Sequence, residues 1–390
     1  MKPDPTQYEG RAPAFVKHTF LSEYLPALCQ KVASAFDEFV YIDGFAGPWM
    51  ASDTQSFKDT SFGIALDAMG ATRGLQQKRG KSVTMTAYLV EKDDAAFAQL
   101  EQLATHYRDL NVHPIHGSFE ANFERIVAAL PPRAFVFCLI DPKGMKLDLR
   151  RLHPLIARKN SEVLINFMYD FISRFVEHPN EAIGANMKAL LPHVDWEGLI
   201  QALKKASTSD ERERLIVNAF RACVKREGCF TFVPSLTVQK TFSDRTLYHL
   251  VFGTRSPIGL EVFRRSQVKA LSAQAAIRSK AKDEKVTQRT GQGSLWGGAE
   301  REASDFSTRQ IEQGLRDGLT LAEAILRVTP DGVRWKDLWP RVLDDCLVTT
   351  SALGRAMNDL RKAGRLTAPN WPSPKKLIPD DDQLLGLVPR

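Results

Sequence analysis

The sequence predicts an α/β protein built on a doubly wound, mostly parallel sheet, followed by a smaller C-terminal helical unit. Three observations carry that prediction. Short apolar runs alternate with helix-period segments from residue 16 to residue 168, three of the runs close on an acidic residue, and the composition changes near residue 271. Strand–helix alternation implies parallel strands with helices on both faces. At 390 residues the chain is also too long for a single core, because domains run roughly 100–200 residues.

Val16, Phe20, Tyr24, Leu28 and Val32 recur every fourth position and predict a first helix with one apolar face. FVYIDGFAGP comes next, an apolar run broken by glycine and proline after Asp43, which reads as a buried strand and a turn. Thr60 and Ser61 are N-caps for the periodic stretch SFGIALDAMG. The alternation then continues: strand 83–91 ending in Glu91, helix DDAAFAQLEQLATHY, short strand NVHPIHG, helix FEANFERIVAAL, and strand 134–142 ending in Asp141–Pro142. LRRLHPLIAR reads as helix, 161–168 as a further strand, and 178–228 as a largely helical insertion. TFVPSLTVQKTF and TLYHLVFGT form two strand-like runs around Ser243–Asp244–Arg245, an antiparallel pair at the sheet's edge.

Residues 1–270 are thus expected to form the α/β domain and 271–306, rich in Lys, Ala, Gln, Gly and Ser, a linker. Trp296 within it is either a plug for a surface or a lone loop aromatic. From 307, three helix signals (311–328, WKDLWPRVL, and TTSALGRAMNDLRKAG capped by Thr349 or Thr350 and ended by Gly364) precede RLTAPNWPSPKKLIP, a small wing. That is a winged-helix pattern, whose third helix offers Arg355, Arg361, Lys362 and Arg365 to a nucleic-acid groove or to a protein partner.

Composition excludes several classes. With 43% hydrophobic and 25% charged residues the chain is neither collagen-like nor wholly disordered. No apolar run approaches the roughly 20 residues that cross a bilayer. The start lacks an apolar signal region, so a cytoplasmic protein is expected. Five cysteines without a CxxC pair argue against a disulfide framework or a structural zinc site. His113, His116 and His153 lack ligand spacing, and no GxxxxGK[ST] loop is present. The net charge of +7 is spread: 34 basic against 30 acidic residues over 1–270, 7 against 5 over 271–310, and 12 against 11 over 311–390. It permits a nucleic-acid partner without arguing for one.

The chemistry concentrates at strand ends, where open α/β sheets bind ligands. Asp43-Gly44-Phe45-Ala46-Gly47-Pro48 closes the first strand, and Gly47 is placed to let the backbone approach a ligand. Glu91, closing the next, is placed to accept hydrogen bonds from a ribose diol. Asp141-Pro142-Lys143-Gly144 closes a third, where a carboxylate accepts a hydrogen bond from an amine or orients it for attack. Taken singly, each is also compatible with an ordinary turn.

In this order the motifs resemble those of class I S-adenosylmethionine-dependent methyltransferases, nearest to amino-group methyltransferases with DxFxGxG and (D/N)PP(Y/F). More narrowly the chain resembles the three-Cys-motif partner protein family, TcmP, through Lys17 and Tyr24, YIDGFAGP (41–48), Ser61–Leu66, Glu91–Lys92–Asp93, DPKG (141–144), VLINF (163–167) with Arg174, and LYHLVFGTRSP (247–257). The likeness spans about 11–270, and the winged-helix tail is typical too.

The resemblance implies a Rossmann-like, methyltransferase-like domain with S-adenosylmethionine as cofactor. Asp43, Gly44, Ala46 and Gly47 are then expected beside its methionine end, Glu91 at the ribose, and Ser118 and Phe119 at the adenine, with Phe119 equally at home in the core. Asp141, Lys143 and Asn166 are expected at the acceptor, Asn166 alternatively as a core amide. The implied partners are a radical S-adenosylmethionine enzyme bearing the three-cysteine motif and, through the tail, a nucleic acid. Two positions depart from the pattern: Trp49 stands where a second loop glycine is usual, and Lys143 where an aromatic would stack on a base. A non-catalytic adaptor that docks a radical enzyme through a degenerate methyltransferase fold is the alternative.

Overall fold

A computed structural model describes residues 3–47, 57, 59–142, 144, 146–177, 181–290, 302, 304–369, 371, 373 and 375–388. The chain divides into two units, Met1–Ser256 and Pro257–Arg390.

In the first unit, α1 (Ala12–Ala35) buries Val16, Phe20, Tyr24, Leu28 and Val32, the stripe seen in the sequence. It leads into β1 (Glu38–Asp43), and strand and helix then alternate: α2 (Ser61–Lys78), β2 (Thr84–Glu91), α3 (Asp94–Ala104), β3 (Asn111–His116), α4 (Phe119–Ala129), β4 (Phe135–Ile140). The helices start where short side chains cap them. The hydroxyls of Thr60 and Ser118 and the Asp93 carboxylate accept hydrogen bonds from Gly63, Ala121 and Ala96 N–H respectively. The segment 149–158 holds less helix than its pattern suggests, only a 3-10 turn Arg150–Leu152 and one turn, α5 (His153–Ile156). After β5 (Ser161–Phe167) comes α6 (Tyr169–Phe175), and then the expected helical stretch, α7 (Glu181–Leu190), α8 (Trp196–Lys205) and α9 (Ser209–Glu227). β6 (Ser235–Gln239) and β7 (Thr246–Gly253) complete the unit.

The seven strands lie in the order β3-β2-β1-β4-β5-β7-β6. Strands β1 to β5 are parallel, β7 runs antiparallel to β5, and β6 pairs antiparallel with β7 at the edge. This is a mixed α/β fold with a mostly parallel, Rossmann-like sheet flanked by helices. Alternate strand residues feed two faces. Val40, Ile42, Val136, Cys138 and Ile140 pack with Phe123 and Ile126 of α4 and Phe220 of α9. On the other face Tyr41 stacks on Phe137 at 6.1 Å, and Tyr24 of α1 meets Phe137 at 5.8 Å. Burial on both faces is why these strands read as unbroken apolar runs. The order reverses between β1 and β4, so the connections leave in opposite directions and open a crevice at the carboxyl ends.

The second unit begins at 257, not 271. The residues 271–290 expected as linker continue a helix, Pro257–Thr290, so the expected boundary at 270 cuts through that helix. Its buried face includes Gln267, Gln274, Arg278 and Ser279, which is why no apolar periodicity betrays it. Arg264 donates to Leu343 and Asp344 carbonyls at 2.6 and 2.9 Å, and Arg278 pairs with Asp305 with both side chains at most 2% exposed. Helices Phe306–Arg327, Trp335–Asp345 and Thr350–Lys362 come next, the last capped by Thr349 as expected and left through Gly364 at φ +69°. Three short strands, β8 (Val333–Arg334), β9 (Leu366–Thr367) and β10 (Leu384–Leu387), form a sheet in the order β8-β10-β9.

One buried carboxylate ties α1 to the sheet. Glu162 on β5 accepts hydrogen bonds from Tyr24 at 2.5 Å and from Thr254 at 2.7 Å. Burial nonetheless pushes its carboxyl up to about 7, against the lowering effect of those two bonds and of Arg255. A raised carboxylate contributes stability below its unfolded value near 4.5 and loses it as pH climbs through 7. Glu162→Gln should therefore abolish a loss of roughly 2–3 kcal/mol in unfolding free energy between pH 4.5 and 8. Urea titrations of both proteins across that range check it.

Candidate functional site

The loop after β1 is tied on both sides. Gly44 N–H donates to Leu139 O of β4 at 3.0 Å, and Ala46 N–H to Val90 O of β2 at 2.8 Å. The Asp43 carboxylate turns back to accept from Phe45 N–H at 3.0 Å and Tyr41 Oη at 3.1 Å. Gly44 packs tightly against α4: a Cβ there would sit 3.0–3.2 Å from the Phe119 ring, which would have to give way. Phe119 itself is 2% exposed and packs on Phe45 and Phe123, so it serves chiefly as core.

Around this loop lies a cavity of about 800 Å³, within the range of ligand pockets. Asp43, Gly44, Ala46 and Gly47 line it from β1, and Val90 and Glu91 from β2. Gly117, Ser118 and Phe119 contribute from the turn into α4, and Asp141 and Pro142 from β4. Of the ten residues singled out in the sequence, eight therefore share one cavity. Asn166 stands behind it: 7% exposed on β5, it donates its amide to Asp141 Oδ1. Lys143 lies outside the described residues, as do Pro48, Trp49 and Trp296.

The carboxylates differ in setting. Glu91 is 4% exposed, and its Oε1 accepts from the N–H groups of Lys92 and Asp93 at 2.8 and 2.7 Å. Two backbone bonds fix its direction into the cavity. Asp43 is fully buried, and burial, with the nearby Asp141 charge, pushes its carboxyl up to about 6 against the Phe45 N–H, Lys17 and Tyr41. Ser118 spends its hydroxyl on the helix cap at Ala121.

Other lining residues have no role assigned by the sequence, although Lys17 is among those that carry the family resemblance. From α1, Lys17 Nζ lies 2.5 Å from Asp141 Oδ2. Arg11 pairs with the buried Asp59 at 3.0 Å. His18, between Tyr8 Oη at 2.9 Å and Ser61 Oγ at 3.4 Å, is pushed well below its usual value by burial, then by Lys17 and Arg11, and so is neutral. These groups lie on α1 or just beyond it, far from the strand-end motifs in sequence. Only the fold brings them to the crevice. Among the described residues the lining cations (Arg11, Lys17, Lys92, Lys146, Arg151) and anions (Asp43, Asp59, Glu91, Glu120, Asp141, Asp148) nearly balance. The cavity is thus not an electropositive groove. No group of three or more His, Cys, Asp or Glu among the described residues is placed to hold a metal ion, and no described helix is long and apolar enough to cross a membrane.

No protein-family model matches the sequence, and no curated protein matches it either. A solved structure of loganic acid methyltransferase with SAH is similar at 11% identity and a TM-score of 0.30, covering 79% of this chain and 89% of that one. At that TM-score the likeness carries no weight for function.

Two consequences of the geometry are measurable. Gly44→Ala should destabilise the chain by about 1–3 kcal/mol by overpacking Phe119. Combined with Phe119→Leu it should cost less than the two changes added together, because the sites touch. Thermal melts of the three variants decide this.

Proposed function

We propose that the chain is an S-adenosylmethionine-dependent methyltransferase, acting on an acceptor amine not yet identified, and that it belongs to the three-Cys-motif partner family. The observation that carries this reading is the convergence of Asp43–Gly47, Glu91 and Asp141 on one cavity at the reversal of strand order. Bound there, S-adenosylmethionine supplies the methyl group.

The residues fit such a ligand. Glu91 has one carboxylate oxygen fixed by backbone and its side chain on the cavity, a fixed acceptor for a ribose diol. The loop's own N–H groups at Gly44, Phe45 and Ala46 are consumed internally, which leaves Gly47 to approach the methionine end. Gly117 and Ser118 wall the adenine side. Asp141, held by Lys17 and Asn166, accepts the acceptor amine's hydrogen and sets its lone pair toward the methyl carbon. Positioning of this kind is the larger part of the rate enhancement expected for a displacement.

The second unit is proposed as a winged helix that recruits a partner, a nucleic acid or the radical S-adenosylmethionine enzyme. Of the four cations expected there, Arg365 lies just past the helix end and pairs with Glu323 at 2.8 Å, Arg361 lies over Trp371 at 4.6 Å, and Arg355 Nε donates to Ser351 O at 3.2 Å. Arg355 and Lys362 are both exposed on the helix, where a phosphate could meet them.

Calorimetry with S-adenosylmethionine and S-adenosylhomocysteine tests the cofactor site. Binding is expected, and Glu91→Ala should weaken it by about 10- to 100-fold, the cost of leaving a buried ribose hydroxyl pair unsatisfied. Absence of binding up to millimolar ligand would sink the enzyme reading and favour the adaptor. For the second unit, Arg355→Ala with Lys362→Ala should lower retention on a DNA column and flatten its salt dependence; unchanged retention points to protein docking.

A further inference from the structure

Lys17 leaves α1 from within its buried stripe, next to Val16 and three residues before Phe20, both at most 1% exposed. Its ammonium nevertheless crosses to the end of β4 and meets Asp141 at 2.5 Å, the two side chains being only 14% and 21% exposed. Asn166 of β5 donates to the other Asp141 oxygen. Three elements thus converge on one carboxylate at the cavity wall. Partly buried ion pairs contribute little net stability, so folding alone gives small reason for this one.

The second carboxylate at the same end of the cavity is Asp43. The groups that face it are Tyr41 on its own strand, the Phe45 N–H, Cys138 and Asp141 from β4, and Lys17 from α1. Lys17 is the cation in that set. With it in place, a cation sits 2.5 Å from Asp141. Without it, this end of the cavity would be more negative by one unit charge.

We propose that Lys17 sets the charge at this end of the cavity and thereby the preference between a sulfonium-bearing cofactor and its neutral thioether product. The proposal rests on the cofactor reading above. Methyl transfer breaks the carbon–sulfur bond with its electron pair left on sulfur and forms the carbon–nitrogen bond from the acceptor lone pair. Positive charge therefore moves from sulfur to nitrogen, and the nitrogen then sheds a proton to solvent. A cavity end more negative by that charge would hold the sulfonium more tightly before transfer, and ground-state binding of that kind does not speed the step. Lys17 limits it, as a positioning residue acting through Asp141.

The test needs no acceptor. Dissociation constants of S-adenosylmethionine and S-adenosylhomocysteine are measured by calorimetry for the native chain, Lys17→Met and Lys17→Arg. In parallel, carbon-13 carboxyl NMR tracks the titration of Asp43 in the ligand-free proteins. Lys17→Met is expected to shift the affinity ratio toward S-adenosylmethionine by roughly five- to tenfold, the size of one unit charge acting through a partly solvated cavity. Lys17→Arg, which keeps the charge, should stay within about twofold of native. The Asp43 midpoint, about 6 in the native chain, should rise in Lys17→Met and not in Lys17→Arg. An unchanged ratio or an unmoved Asp43 midpoint in Lys17→Met overturns the proposal. If neither ligand binds the native chain, the cofactor reading falls and the discrimination with it, while the Asp43 midpoint still shows whether Lys17 governs the charge of the cavity.

Discussion

The structure of the first unit turns on the clamp between β1 and its two neighbours. β1 is the strand at which the sheet's order reverses, so the chain beyond it must leave the sheet with partners on both sides diverging. The hydrogen bonds from Gly44 to Leu139 and from Ala46 to Val90 hold the loop across that divergence. They keep the crevice open by fixing its floor, and the Asp43 carboxylate, locked onto Phe45, cannot swing away from it. Everything else described at the site, from the Glu91 direction to the Phe119 wedge under Gly44, is arranged around this fixed floor.

The clamp also explains the division of labour among the lining groups. The N–H groups of Gly44, Phe45 and Ala46 are used up in holding the loop, and the side chains that line the cavity arrive from different directions. Glu91 and Asp141 come from strand ends. Arg11, Lys17 and His18 come from α1 or its immediate N-terminal side, a helix that precedes the first strand. A cavity built this way has a rigid base and a wall carried by an element with its own buried anchor, the Tyr24–Glu162 hydrogen bond.

Much of this was legible in the sequence, for identifiable reasons. Parallel strands buried on both faces appear as apolar runs, and the polar residues that interrupt them at Asp43, Glu91 and Asp141 mark the carboxyl ends where function gathers. The helix caps Thr60 and Thr349 were readable because a hydroxyl before a periodic stretch has one clear use. The misreadings have physical causes too. Helix Pro257–Thr290 was hidden because part of its buried face is polar: Gln274 and Arg278 pair inward with Ser307 and Asp305, so the hydrophobic period is missing and the composition mimics a linker. Lys17 stood out only through the family resemblance and without a role, since its partner lies 124 positions away and a lysine beside an apolar stripe has no visible task.

The point at which the chain divides also bears on how such a chain could be assembled. Because Arg264 and Arg278 commit helix Pro257–Thr290 to carbonyls and a carboxylate farther along the same unit, that helix belongs with the C-terminal residues it binds. A duplication or fusion that joined this unit to another domain would preserve both arginine contacts only if the junction fell before Arg264. The break at Ser256–Pro257 is therefore a place where the chain can be divided with both arginine contacts kept whole in the last 134 residues.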